Sequence, residues 1–208
     1  MRIAALTLLL LLLALPALAG AEPAGTVTRI QGQAWAEAAG KRRELAKGDA
    51  VLAQDNLGTG PGARLEVRLA DATTLTLGEN SEARLQDFAF APQGKAASLL
   101  LDVGKGAFRV ITGEIAKRNP EAFRVLLPEG TIGIRGTDFW GGNLPGHGVG
   151  VLLISGSAVE VCTKAGCETL DSPLAGVMLP DPKLPPQSKG AWAAHKVDAA
   201  MATVSFSN

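Results

Sequence analysis

Ala63-Arg64-Leu65-Glu66-Val67-Arg68-Leu69 is apolar at every odd position and charged at every even one. Side chains of a β-strand point alternately to its two faces, so this run reads as a strand with one face buried and the other in water. Working outward, Thr74-Leu75-Thr76-Leu77 repeats the pattern, as does Val159-Glu160-Val161. Gly25 to Ile30, Phe108 to Ile111, Phe123 to Leu127 and Val149 to Ile154 read as further strands. The last carries a longer apolar run, which predicts burial on both faces.

Turn signals separate these segments: Lys47-Gly48-Asp49, Thr59-Gly60-Pro61-Gly62, Ala70-Asp71, Gly78-Glu79-Asn80-Ser81 and Ser155-Gly156-Ser157. Glycine and asparagine supply the positive φ angles of tight turns. Between Ala50 and Phe88 the punctuation recurs about every ten residues, the spacing of sandwiches, barrels or solenoid coils built from short strands. Helix is expected only at Gly113 to Asn119 and in the alanine-rich tail from Lys189 to Met201, which carries Trp192. Leu179 to Gln187 holds four prolines and reads as a stiff connector. The expected organisation is therefore one all-β domain over 25–179, followed by a Pro-rich connector and C-terminal tail or helix over 180–208.

The start of the chain addresses the compartment. Met1-Arg2 is followed by an apolar run from Ile3, Pro16, and the small-x-small sequence Ala17-Leu18-Ala19, so residues 1–19 read as a signal peptide. The expected location is periplasmic or secreted, without a membrane span once the signal is removed. Removing 19 residues from 208 leaves 189; losing Arg2 leaves 19 basic against 20 acidic side chains, a net charge of −1. That balance gives no electrostatic footprint for nucleic acid or anionic lipid. The only cysteines, Cys162 and Cys167, flank the loop Thr163-Lys164-Ala165-Gly166 between two alternating segments. A hairpin would bring them face to face, and an oxidising compartment permits a disulfide there. Zinc would need further ligands, and the spacing is not that of a redox C-x-x-C motif.

Four stretches together resemble the FecR family of envelope domains. Gly25-Thr-Val-Thr-Arg-Ile-Gln-Gly-Gln-Ala is similar to its first strand pair, and Leu45-Ala-Lys-Gly-Asp-Ala-Val-Leu to its "GD" turn. Leu57-Gly-Thr-Gly-Pro-Gly-Ala-Arg-Leu-Glu-Val-Arg-Leu-Ala-Asp resembles its "T-G-x-x-x-x-L-x-[LV]-x-L-x-D" segment. Leu127-Pro-Glu-Gly-Thr-Ile-Gly-Ile-Arg-Gly-Thr-Asp-Phe resembles its "T-P-x-x-x-x-x-x-R-G-T-x-F" signature, with Leu127 in place of the threonine. Ile154-Ser-Gly-Ser-Ala-Val-Glu-Val follows like the closing strands. The resemblance implies a short-strand, β-solenoid-like domain of β-helix or sandwich-like form. The family's best-known members are membrane-spanning regulators of iron-siderophore uptake, which relay an outer-membrane receptor signal to a sigma factor and carry a cytoplasmic helical region before the span. This chain opens directly on its hydrophobic segment, so only the extracytoplasmic module is carried over, without the anti-sigma role.

Within the signature, Ile132, Ile134 and Phe139 read as apolar anchors, while Gly133 and Gly136 permit close backbone approach or unusual φ angles. Arg135 precedes Asp138 by three residues and is expected to pair with it or with carbonyls at a sheet corner. The competing reading makes Arg135, Thr137 and Asp138 a ligand site.

No motif with a catalytic mechanism is found. His147 and His195 have no ligand-spaced companions, and Ile154-Ser155-Gly156-Ser157 reads as a hairpin turn, not a nucleophile elbow. A carboxylate pair for glycoside hydrolysis could be drawn from Glu66, Asp71, Glu79 and Asp87, because that chemistry needs only two such groups. Lys41-Arg42-Arg43 reads as a solvated hairpin tip. No phosphate loop or dinucleotide fingerprint appears, so no cofactor is expected. The expectation is a non-enzymatic module that binds an envelope protein. The alternative is an envelope glycan-binding or scaffold domain, with Trp35 and Trp140 as its stacking candidates.

Overall fold

The computed structural model describes residues 23–94 and 97–207, so the signal segment assigned to residues 1–19 lies outside the described residues. The chain forms β1 (Pro23–Gln31), β2 (Ala34–Ala38), β3 (Lys41–Glu44), β4 (Ala50–Leu52), β5 (Asn56–Thr59), β6 (Arg64–Leu69), β7 (Thr74–Leu77) and β8 (Glu82–Phe90). There follow β9 (Ala97–Lys105), β10 (Ala107–Ile111), the short helix α1 (Glu114–Arg118), a 3-10 turn at Pro120–Ala122, and β11 (Phe123–Leu127). Two long strands, β12 (Gly130–Leu144) and β13 (Gly148–Thr163), precede β14 (Gly166–Leu170), β15 (Ala175–Met178), β16 (Gln187–Ala191) and helix α2 (Ala194–Ala202).

All strands join one sheet in the order β3-β2-β5-β8-β9-β11-β12-β10-β7-β6-β1-β4, with β13 on β12 and leading on to β14, β15 and β16. The two ends of that path come back together. Arg43 on β3 donates to the Ala50 carbonyl on β4 at 2.9 Å. The all-β expectation holds. The pairing does not by itself establish solenoid coils: among the described residues only β9 and β11 pair in parallel, and the other ladders are antiparallel. Short turns join β2 to β3, β6 to β7, β11 to β12, β12 to β13 and β13 to β14 as hairpins, and hairpins impose antiparallel neighbours.

The concave face of this curled sheet encloses one core, to which Val27, Leu65, Leu85, Leu101, Phe108, Val125, Ile132 and Val161 all contribute. Alternation explains it. Along β6 the burial follows the sequence, with Leu65, Val67 and Leu69 inside and Arg68 exposed. Phe108 and Phe139 meet edge-on with centroids 6.0 Å apart. Each such fully buried ring contributes roughly 1.5–3 kcal/mol.

A second, smaller cluster lies on the opposite face, where Ala107, Trp140, Leu144 and Leu152 are covered by Trp192, Ala200 and Val204. The double burial expected for Val149 to Ile154 is thus realised over Val151, Leu152 and Leu153. The C-terminal segment supplies the cover. Its connector is strapped down by the Lys164 N–H to the Pro182 carbonyl (3.1 Å) and by the Thr163 hydroxyl to the Leu184 carbonyl (2.8 Å). It then adds β16 to the sheet edge and ends in α2.

Two local expectations are corrected. Ser155-Gly156-Ser157 is not a hairpin turn but the midpoint of β13, where the register with β12 slips by one residue. Gly136 (φ +61°) and Gly156 (φ +109°) sit together at this kink, and a Cβ at Gly156 would stand 2.5 Å from the Gly136 carbonyl oxygen. A bend shared by two paired strands carries the same glycine signal as a turn, which is why spacing alone misplaced it. Lys41-Arg42-Arg43 is β3 itself, and the tip is Ala39-Gly40. Arg43 there pairs with the fully buried Asp55 at 2.7 Å, so it is not merely solvated.

Candidate functional site

The signature strand β12 changes partner midway. Its first half pairs with β11, its second with β10, and it crosses at the Gly136 kink. Most signature residues serve this crossing. Ile132, Ile134 and Phe139 enter the core. The Thr137 N–H donates to the Thr112 hydroxyl at 2.9 Å and its carbonyl accepts the Thr112 N–H at 3.0 Å, while the buried Thr137 Oγ1 has no partner.

The expected Arg135–Asp138 pair does not form. Asp138 accepts two bonds from Arg109 on β10, at 2.8 Å from Nε and 2.6 Å from Nη2. The kink is the reason: Arg135 remains on the half of β12 beside β11, whereas Asp138 lies on the half beside β10. The hydrogen bond to Asp138, aided by the charges of Asp138 and Glu66, raises the Arg109 pKa above its ordinary value against the opposing effect of burial. Its guanidinium therefore stays charged throughout the range in which a protein remains folded. A ligand site made of Arg135, Thr137 and Asp138 together is excluded by the same geometry.

Other motif residues are likewise structural. Buried Asp71 accepts the Thr73 N–H (3.0 Å), the Thr73 hydroxyl (2.8 Å) and the Ile115 N–H (3.2 Å), tying the β6–β7 turn to α1. Thr59 donates to the Gly78 carbonyl at 2.6 Å and accepts the Ser81 N–H at 2.9 Å. Asp49 accepts the Ala46 N–H at 2.8 Å in the "GD" turn. The remaining carboxylates considered for hydrolysis are each held by a local donor: Glu66 by Thr28, Glu79 by the Gly62 N–H, and Asp87 by Ser98. His147 and His195 are exposed, and among the described residues no group of three metal-ligating side chains converges.

What is left over forms a groove of about 500 Å³ on the outer face of β11, β12, β13 and β14, bounded by the turn at Pro120–Ala122. Its floor is Gly133. Cross-strand pairing sets Gly133 between Arg124 on β11 and Glu160 on β13, with Thr169 of β14 beyond. An added Cβ at Gly133 would find nothing nearer than Glu160 atoms at 3.9 Å, so the seat is open. Arg135 lies two residues along the same strand. Both Arg124 and Arg135 are exposed, and neither has a hydrogen-bond or ion-pair partner among the described residues. Cys162 also lines the groove and is joined to Cys167 (S–S 2.07 Å) across the β13–β14 hairpin, as the sequence suggested. The groove itself was not legible in sequence. Arg124 gave no motif signal, and its adjacency to Gly133 depends on pairing across the β11–β12 turn.

Two other clefts, of about 440 and 420 Å³, lie at one end of the sheet and beside Trp35. Lys105 in the first already pairs with Glu82 at 2.8 Å. Neither tryptophan proposed for sugar stacking is free. Trp140 is fully buried and donates from Nε1 to the Thr203 hydroxyl at 2.9 Å. Trp35 lies on Gly58, with the Arg42 guanidinium 3.6 Å above its ring.

Fold and groove together define a β-rich module whose family signature builds the sheet and leaves one charged surface groove unused. The FecR protein family model matches residues 55–159, half of the chain, and the chain belongs to that family. Two crystal structures of a candidate anti-sigma factor from Parabacteroides distasonis are similar, each with a TM-score of 0.52 and 16% sequence identity over 69% of this chain. The chain spans 62% of the length of that protein, and likeness at this identity shows the fold alone. No curated protein matches the chain significantly.

Proposed function

We propose that this chain is an extracytoplasmic FecR-type module that takes part in envelope signalling by binding another protein in the Gly133 groove, and that it does no bond-making chemistry. One observation carries the reading. Within the Arg-Gly-Thr-Asp-Phe signature every residue but Arg135 is absorbed by the fold, and Arg135 faces an open groove beside a second unpartnered arginine. An arginine fork left unpaired is suited to recognition, because its donors are preorganised and weakly hydrated. Family membership supports the envelope setting, and a disulfide at Cys162–Cys167 suits an oxidising compartment. Anti-sigma activity is not part of the proposal; the helices among the described residues are five and nine residues long.

The test is site-specific photo-crosslinking in living cells. A photoreactive residue at Glu121 or Thr169, both on the groove wall, should give a discrete product with another protein. The same residue at Lys47, in the β3–β4 turn and five strands away along the sheet, should not. Products from Lys47 alone, or from none of the three, would remove this reading. The glycan alternative loses its two stacking anchors, since Trp140 is enclosed and Trp35 is covered on both faces.

A further inference from the structure

Glycines inside strands, where backbone conformation does not demand them, need another explanation. Three of them here serve as seats for aromatic rings. A Cβ at Gly58 would fall 2.3 Å from the Trp35 ring, one at Gly176 would fall 2.4 Å from Trp192, and one at Gly141 would fall 2.7 Å from Phe108. On the outer face the arrangement has a third part. Arg42 lies 3.6 Å from the Trp35 centroid, and the Lys196 ammonium lies 3.8 Å from that of Trp192. Glycine below, ring flat upon it and cation above is thus built twice from this chain's own residues. Physically, the ring covers backbone that glycine leaves bare, and its negative face meets the cation.

Gly133 has the same setting with the ring missing. Its φ is not positive, its Cβ position is open, and Arg124 and Arg135 rise beside it without partners. Among the described residues the only other open strand glycine of this kind is Gly104, whose neighbour Lys105 is already paired with Glu82. Glu160, on the far side of Gly133, would meet the positive edge of a ring lying there.

We infer that the Gly133 groove receives an exposed aromatic side chain of the partner protein, laid flat on Gly133 beneath the Arg124 and Arg135 guanidinium groups with its edge towards Glu160. This rests on the protein-binding reading above and names the chemistry by which the partner is recognised.

N-acetyl-tryptophanamide is a suitable probe, titrated into the ¹⁵N-labelled mature protein and followed by amide and arginine side-chain NMR shifts. The expected result is a saturable perturbation at Gly133, Arg124 and Arg135. It should disappear in Gly133→Val, which fills the seat, and persist in Gly104→Ala. Replacing both arginines with alanine should weaken binding at least threefold, the scale of an exposed cation–π contact of about 0.5–1 kcal/mol per cation. Cooperative thermal unfolding of the variants shows that they fold. If no perturbation occurs at Gly133, if binding survives in Gly133→Val, or if acetate perturbs these groups where the tryptophan probe does not, the inference is overturned. The groove crosslinks separate this failure from that of the broader proposal. Products that persist undiminished in Gly133→Val would leave the protein-binding reading standing and remove only the aromatic seat.

Discussion

Thr137 sits in the most recognisable stretch of the chain, yet its hydroxyl is buried without a hydrogen-bond partner, and the contacts it makes run through its backbone. A buried unsatisfied polar atom costs about 1–3 kcal/mol, and an apolar isostere removes that cost. Thr137→Val is therefore expected to leave stability unchanged or raise it by up to about 1 kcal/mol, as read from the urea unfolding midpoint. A loss larger than that would reveal a hydrogen-bond partner for Oγ1 within the fold. Much at this scale was readable in advance: Ile132, Ile134 and Phe139 are anchors because alternation makes them so. The partner of Asp138 was not readable. Arg109 lies 29 positions away in the chain, and nothing local distinguishes it from the nearer Arg135.

At the scale of single elements, the glycines divide by what stands over them. Gly58→Ala drives a methyl group into the Trp35 ring, and overpacking of this kind costs about 1–3 kcal/mol. Gly133→Ala meets open space and reduces the freedom of the unfolded chain, so stability should rise by up to about 1 kcal/mol. Thermal denaturation of the two variants side by side checks the pair. Equal effects would mean that Gly133 is not an open seat. The β13–β14 hairpin allows another prediction at this scale. Its disulfide closes a very short loop, so Cys162→Ser with Cys167→Ser should cost no more than about 2 kcal/mol in chain entropy. Faster proteolysis should be confined to the hairpin tip around Lys164. That cysteine pair was legible because a hairpin's geometry is local. The kink at Gly136 and Gly156 was not, because a glycine that bends two paired strands looks in sequence like one that turns a single strand.

Over the whole molecule, the outer-face cluster makes the C-terminal segment part of the fold. Trp140 and Leu152 are fully buried only because Trp192, Ala200 and Val204 cover them. Ending the chain at Pro186 would expose that cluster, an apolar patch of the kind that drives association. The shortened protein is expected to bind a hydrophobic dye and to leave its monomer position in size-exclusion chromatography. A monodisperse, dye-silent product would show the segment to be dispensable. Proline content and alanine richness marked this region as connector and tail, since composition reports local stiffness and helix preference but not what a surface needs covered.

The all-β character, the buried face of the alternating strands, the cysteine hairpin and the family resemblance follow from the order of residues alone, because alternation, turn chemistry and short-range pairing act between near neighbours. The closing of the sheet upon itself, the transfer of β12 from one partner to another, and the meeting of Arg124, Gly133 and Glu160 on one row were decided only by tertiary structure. Those features depend on which strands lie side by side. That choice is made by the joint packing of a core drawn from the whole chain, and no window of sequence contains it.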